Sequence, residues 1–148
     1  MSLALLKMVI PFLPPTSNRI YYRGTQLTAR AREFAESFAM YAAQHHLHEI
    51  SRLNRDGIFA VHLRFYLELV NLSWNNTNLP PSKRAKDRYK RIDLDNRIKL
   101  LTDCVRDAID IDDSRFFAGT QEKQNEPDPE KSRVEIFVQE VDPRDFGL

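Results

Sequence analysis

One cysteine, Cys104, stands in a chain of 148 residues. No internal disulfide can form, and a lone thiol with apolar flanks reads as a small buried hydrophobe in a reducing compartment. No apolar run approaches the roughly 20 residues that cross a bilayer, which sets membranes aside as a partner. The opening stretch MSLALLKMVIPFLPP is broken by Lys7 and Pro11 and lacks a small-residue cleavage site. It reads as a first strand, not a secretory leader, so the expected location is the cytoplasm. Net charge is nearly absent: 22 Lys and Arg against 21 Asp and Glu leave +1. That sum alone says nothing about partners. The histidines His45, His46, His48 and His62 form no metal pattern with a cysteine or acid, and the first three mark a wet helix end. No serine or cysteine has the surroundings of a nucleophile, and no internal repeat is visible.

What is present suits one globular domain over residues 1–148, with 42% hydrophobic and 29% charged residues. Residues 4–13 suit a buried strand, stopped by the prolines of LPPTSNR. Thr28 reads as the N-cap of a helix through ARAREFAESFAMYAAQHH, with Phe34, Phe38, Tyr41 and Ala42 on its apolar face. After Asp56-Gly57, apolar residues alternate from Phe59 to Leu69, the clearest strand signal in the chain. The second face of that strand carries Tyr66 and Val70, which suit either an interface or packing against the following loop. Residues 71–90, with Pro80-Pro81, have no apolar period and read as a mobile loop. A second helix begins near Asp95, with Leu94, Ile98, Leu101, Val105 and Ile109 as its stripe. A strand around Phe116–Thr120, a polar loop, and the alternating RVEIFVQEV close the order β-α-β-α-β-β. That order predicts an α+β fold: a small mixed or antiparallel sheet with two main helices packed on it.

The charges are segregated along the chain. Lys83, Arg84, Lys86, Arg88, Lys90 and Arg91 crowd the segment SKRAKDRYKR around a single acid, Asp87. Such a run suits a phosphate backbone, and Trp74 and Tyr89 add stacking groups; it equally suits a solvated surface. The segment RIDLDNRIK follows at once. Side chains two apart in an extended strand point the same way, so Asp93 and Asp95 converge if the chain stays extended to the helix start. A divalent cation relieves their repulsion, and hard oxygen ligands suit Mg²⁺ or Mn²⁺. Asp112 and Asp113 follow the helix and join the same region if the next strand returns them there. Lys99, one turn after Asp95, is placed to act on developing phosphoryl charge. On spacing alone a bland reading stands beside this one: Asp95 caps the helix and Lys99 pairs with Asp95 or Asp103 on a wet face.

The ordered set LPPTSNRIYYRGTQLTARAREF and RIDLDNRIKLLTDCVRDAIDIDDSRF resembles the RusA family of Holliday junction resolvases. Pro14, Pro15, Asn18 and Arg19 match its entry motif; Asp93, Leu94, Asp95 and Asn96 its D-L-D-N box; Lys99 its lysine; Asp112 and Asp113 its acidic pair. The resemblance spans roughly Val9 to Val141. It implies a dimeric, Mg²⁺-dependent endonuclease that cuts four-way DNA junctions. By the same resemblance Asp93, Asp95 and Asp113 are metal-binding acids, Asp112 their neighbour, and Lys99 the catalytic lysine. Asn18, Arg19 and the six cations of the basic segment would face DNA. The segment from Ser73 to Lys90 departs from the family by its length and basicity. The acidic EKQNEPDPEKS is expected to point away from the duplex. A junction- or single-strand-binding module without turnover is the alternative expectation.

Overall fold

The chain runs β1 (Leu5–Ile10), β2 (Tyr21–Tyr22), β3 (Gln26–Leu27), α1 (Ala29–Ser51), β4 (Ile58–Leu67), α2 (Asp95–Ile109), β5 (Phe116–Asn125) and β6 (Arg133–Val141), in a computed structural model that describes residues 3–24 and 26–148. The four long strands form one sheet in the order β1-β6-β4-β5, and β2 and β3 form a separate small hairpin. β6 pairs antiparallel with both β1 and β4, while β4 and β5 run parallel. The fold is α+β with a mixed sheet, as the element order predicts. The hairpin over residues 21–27 is too short to carry a period and is invisible in the sequence.

Alternation decides which face of the sheet is buried. Leu6, Met8 and Ile10 on β1, Val134, Ile136 and Val138 on β6, and Phe59, Leu63 and Phe65 on β4 all turn inward. They meet Phe34, Phe38 and Ala42 of α1 and Leu101, Val105 and Ile109 of α2 in one continuous core. Each such side chain contributes about 1.5–3 kcal/mol by leaving water. Thr28 caps α1, accepting from the Ala31 amide at 3.2 Å while its hydroxyl donates to the Arg19 carbonyl at 2.6 Å. One side chain thus starts the helix and ties it to the entry segment. The opposite face of the sheet carries charge instead. Arg64 pairs with Glu122 at 2.6 Å, and Lys7 and Arg64 lie over the Phe137 ring at 5.5 and 5.1 Å.

Two boundaries differ from expectation. β5 extends past Thr120 to Asn125, pairing Glu122–Asn125 with Arg64–Leu67. Much of the polar EKQN is therefore strand, held by the β4 ladder and not by burial. β5 also needs Gly119, since a Cβ there would stand 2.3 Å from the Val61 carbonyl oxygen. The loop after β4 is not the loose segment its composition suggests. Its ends are joined by an isolated bridge between Val70 and Tyr89, with Asn71 N–H donating to Arg88 and Lys90 N–H donating to Leu69. Inside it, Ser73 Oγ accepts from the Ala85 amide at 3.0 Å and Arg84 Nε donates to the Leu79 carbonyl at 3.0 Å. Val70 is thus used within the chain, and Tyr66 lies under the Arg133 guanidinium at 3.8 Å.

Candidate active site

β4, α2 and β5 form a parallel crossover unit, and this sets where each acid lies. Ligand sites in such units sit beyond the carboxyl ends of the strands, where helices begin. The D-L-D-N segment occupies that end: Leu67, Ile92 and Asp93 line a common pocket, and Lys123 Nζ donates to the Ile92 carbonyl at 3.3 Å. Entry-motif residues buttress it from the other side. Ser17 Oγ donates to the Asp93 carbonyl at 2.7 Å, and Asn96 Nδ2 donates to the Ser17 carbonyl at 2.7 Å. Arg97 Nε donates to the Pro15 carbonyl at 2.9 Å. The two distant halves of the sequence pattern are therefore one hydrogen-bonded unit, with Asn96 structural within it.

The two acids of this segment do not follow the extended geometry that spacing suggested. Leu94 has φ −102° and ψ −7°, a turned conformation. Asp93 Oδ1 folds back and accepts from the Asp95 amide at 2.9 Å. Asp93, not Asp95, satisfies an orphan amide at the start of α2. Asp95 lies in the first helical turn, exposed, and no hydrogen bond or ion pair engages its carboxylate among the described residues. The positive end of the helix favours both carboxylates.

Lys99 is exposed, and its ammonium sits 4.8 Å from the centre of the Tyr21 ring. Among the described residues no carboxylate pairs with it, so the wet-face pairing with Asp95 or Asp103 is not made. Tyr21 joins Lys99 to the entry motif, a contact that spacing could not reveal. Its hydroxyl is buried without a partner among the described residues, and burial, then Asp103, then Cys104, push the phenol up from its ordinary value. Cys104 is buried as expected, and burial, then Asp107 and Asp103, hold its thiol at about 12.

Asp112 and Asp113 do not join Asp93 and Asp95 within one chain. They precede β5, which runs parallel to β4, so they lie at the opposite end of the crossover unit from the D-L-D-N segment. Asp113 Oδ2 stands 3.7 Å from Arg106 Nη1, and Arg106 is eleven positions along α2 from Asp95, roughly 16 Å at helical rise. For these acids to reach the D-L-D-N segment the strand after the helix has to carry them back, and they stand before that strand instead of after it. Asp112 accepts from Ser114 Oγ at 2.6 Å, which holds its carboxyl below the usual range. Among the described residues no three His, Cys, Asp or Glu side chains are grouped to hold an ion. Within one chain the described residues do not fit a three-carboxylate site; Asp93 and Asp95, with hard oxygen donors of the kind Mg²⁺ or Mn²⁺ takes beside several waters, are the acids present at this end.

The basic segment flanks this end of the molecule. Lys83, Lys86, Arg88 and Arg91 are exposed; Arg84 and Lys90 are half-buried. Lys90 pairs with Glu68 at 3.2 Å and Arg91 with Asp87 at 3.5 Å. Arg88 lies over both Trp74 and Tyr89, at 5.8 and 5.4 Å. Asn18 and Arg19 are exposed in a short 3-10 turn, Ser17–Arg19, beside the pocket. Lys123 and Arg97 were missed: the first hides in a polar stretch, and the second reads as one more helix-surface charge.

Comparison with curated proteins gives no match. A family model described as Endodeoxyribonuclease RusA matches residues 11–139, from the entry motif to the last strand. The chain belongs to the RusA family of endodeoxyribonucleases.

Proposed function

We propose that this protein is a divalent-metal-dependent resolvase of four-way DNA junctions, acting as a homodimer in recombination and repair. The carrying observation is that Asp93 and Asp95 stand exposed at the N-terminus of α2 while Lys99, one turn on, has no carboxylate partner among the described residues. Structural ion pairs would consume these charges; here they are left for something else. A bound Mg²⁺ or Mn²⁺ supplies activation of the attacking water and neutralisation of phosphoryl charge. Asp93 and Asp95 would hold the ion, with Asp93 oriented by its bond to the Asp95 amide. Lys99 meets the charge that develops on the phosphoryl group or leaving oxygen, steadied by the Tyr21 ring. The basic loop, with Lys83, Lys86 and Arg88 exposed, draws in the DNA backbone.

Asp113 enters through the dimer. A pairing that packed the two α2 helices face to face and antiparallel would bring the second copy's Asp113 towards Asp93 and Asp95 of the first. Paired cuts in symmetry-related strands need two sites, which two copies supply. A binding module without turnover is the weaker reading, because carboxylates facing phosphate oppose binding. Asp95→Asn tests the assignment. It should retain the fold and junction affinity but lose cutting, since it removes ligand charge while keeping shape. Wild-type cutting by that variant would show the metal site to be elsewhere.

A further inference from the structure

Arg97 is 7% exposed, the one arginine among the buried polar residues of the described chain. Arg64, Arg106 and Arg133 are all more exposed, and each has a carboxylate partner. Arg97 has none among the described residues. Its single hydrogen bond is from Nε to the Pro15 carbonyl, which leaves the terminal N–H groups of a five-donor guanidinium without a protein acceptor. The terminal N–H groups are not sealed from solvent, so they open to the pocket that Arg97 lines, and partial burial of a cation without a counter-charge lowers its hold on its proton. The arrangement is explicable if an anion completes it.

The surroundings supply room and further donors. Arg97 lines an open pocket of about 420 Å³ together with the polar Ser17, Asn18 and Arg91 and the apolar Leu67 and Ile92. Asp93 borders the same pocket. An anion there would therefore sit next to the proposed metal site, with Arg91, whose own partner Asp87 is 3.5 Å away on the exposed surface, at the pocket's edge to offset the carboxylate. The pocket lies beside the first turn of α2, whose dipole also favours negative charge.

We propose that this pocket is a phosphate subsite. It holds a DNA backbone phosphodiester that neighbours the one being cut, with Arg97 as its buried donor and Arg91 and Asn18 at its mouth. The proposal rests on the DNA-cleaving reading above, which it deepens: it fixes the strand's register relative to Asp93 and Asp95. Arg97 is then a positioning residue for cleavage, because it touches a phosphate other than the reacting one.

The test is a set of double-change cycles read by binding. Arg97→Gln and wild-type protein are titrated in EDTA, so nothing is cut, against four-way junctions carrying one neutral methylphosphonate at successive positions around the branch point. The proposal expects wild type to lose roughly ten- to a hundredfold in affinity at one position flanking the cut site, and Arg97→Gln to be insensitive there. Arg97→Lys should show partial sensitivity at the same position. It also serves as the paired variant if Arg97→Gln fails to fold. A merely structural role predicts equal losses in wild type and variant at every position, and that result overturns the proposal. If no junction binds at all, the DNA-cleaving reading falls. The pocket is then decided by titrating the full chain with methyl phosphate while following the Arg97 Nε–H by NMR. A saturable shift supports an anion subsite, and none overturns it.

Discussion

Lys99 shows how much a single side chain depends on its neighbours. With its ammonium 4.8 Å from the Tyr21 ring centre and no ion pair among the described residues, it is oriented without being neutralised. A cation–π contact of this kind is worth about 0.5–1 kcal/mol at an exposed site, enough to bias a rotamer and too little to withhold the charge from a phosphate. Lys99→Ala should therefore slow cleavage by at least about tenfold more than it weakens junction binding, because a group meeting developing charge matters most in the transition state. Single-turnover rates and equilibrium binding on the same junction check this. Equal effects on both would make Lys99 a ground-state contact only. Arg97 is the contrasting case. Its spacing, three after Leu94 and four before Leu101, sets it on the apolar side of α2, but its charge argues for the surface, and the packed structure shows it 7% exposed.

At the scale of elements, period and capping were sufficient where the chain is regular. Thr28, the Phe59–Leu69 alternation and the stripe of α2 each predict the element that forms, although β4 ends at Leu67. Connections were harder. The loop from Asn71 to Arg88 has the composition of a solvated linker, yet its neck is pinned by backbone pairing on either side. Those bonds join residues far apart in sequence and leave no periodic trace. The same holds for β5, whose polar residues are strand because β4 offers them a parallel ladder. The acids were misplaced for a topological reason. A parallel crossover sends what precedes β5 to the far end from what precedes α2, and parallel pairing was not readable from EKQN. A pinned basic loop has a consequence for binding. Replacing Lys83, Arg84, Lys86 and Arg88 together by Ala should weaken binding to every DNA tested and flatten the salt dependence, by a slope of about 0.9 for each phosphate that the loop no longer neutralises. Anisotropy titrations across a salt series measure it. An unchanged slope would make the loop a spacer.

For the whole molecule the separation of Asp95 from Asp113 by most of α2 is the governing fact. If each working site combines Asp93 and Asp95 of one copy with Asp113 of the other, two inactive variants can repair each other. Asp95→Asn and Asp113→Asn, each inactive alone, should give a mixed dimer with one intact site. That dimer nicks the junction once and makes no paired cut. Product analysis on a labelled junction distinguishes nicks from paired cuts, and silence from the mixture would place each site within a single copy. No helix among the described residues is long and apolar enough to cross a membrane. The central claim, that the acids at the start of α2 make this chain a metal-dependent junction endonuclease, is tested most directly on a synthetic four-way junction beside a linear duplex of the same sequence, each with Mg²⁺ or with EDTA. The account predicts symmetric paired cuts in the junction with Mg²⁺, none with EDTA, and an intact duplex throughout. Cutting that persists in EDTA, or an intact junction in Mg²⁺ and Mn²⁺ despite tight binding, would contradict it.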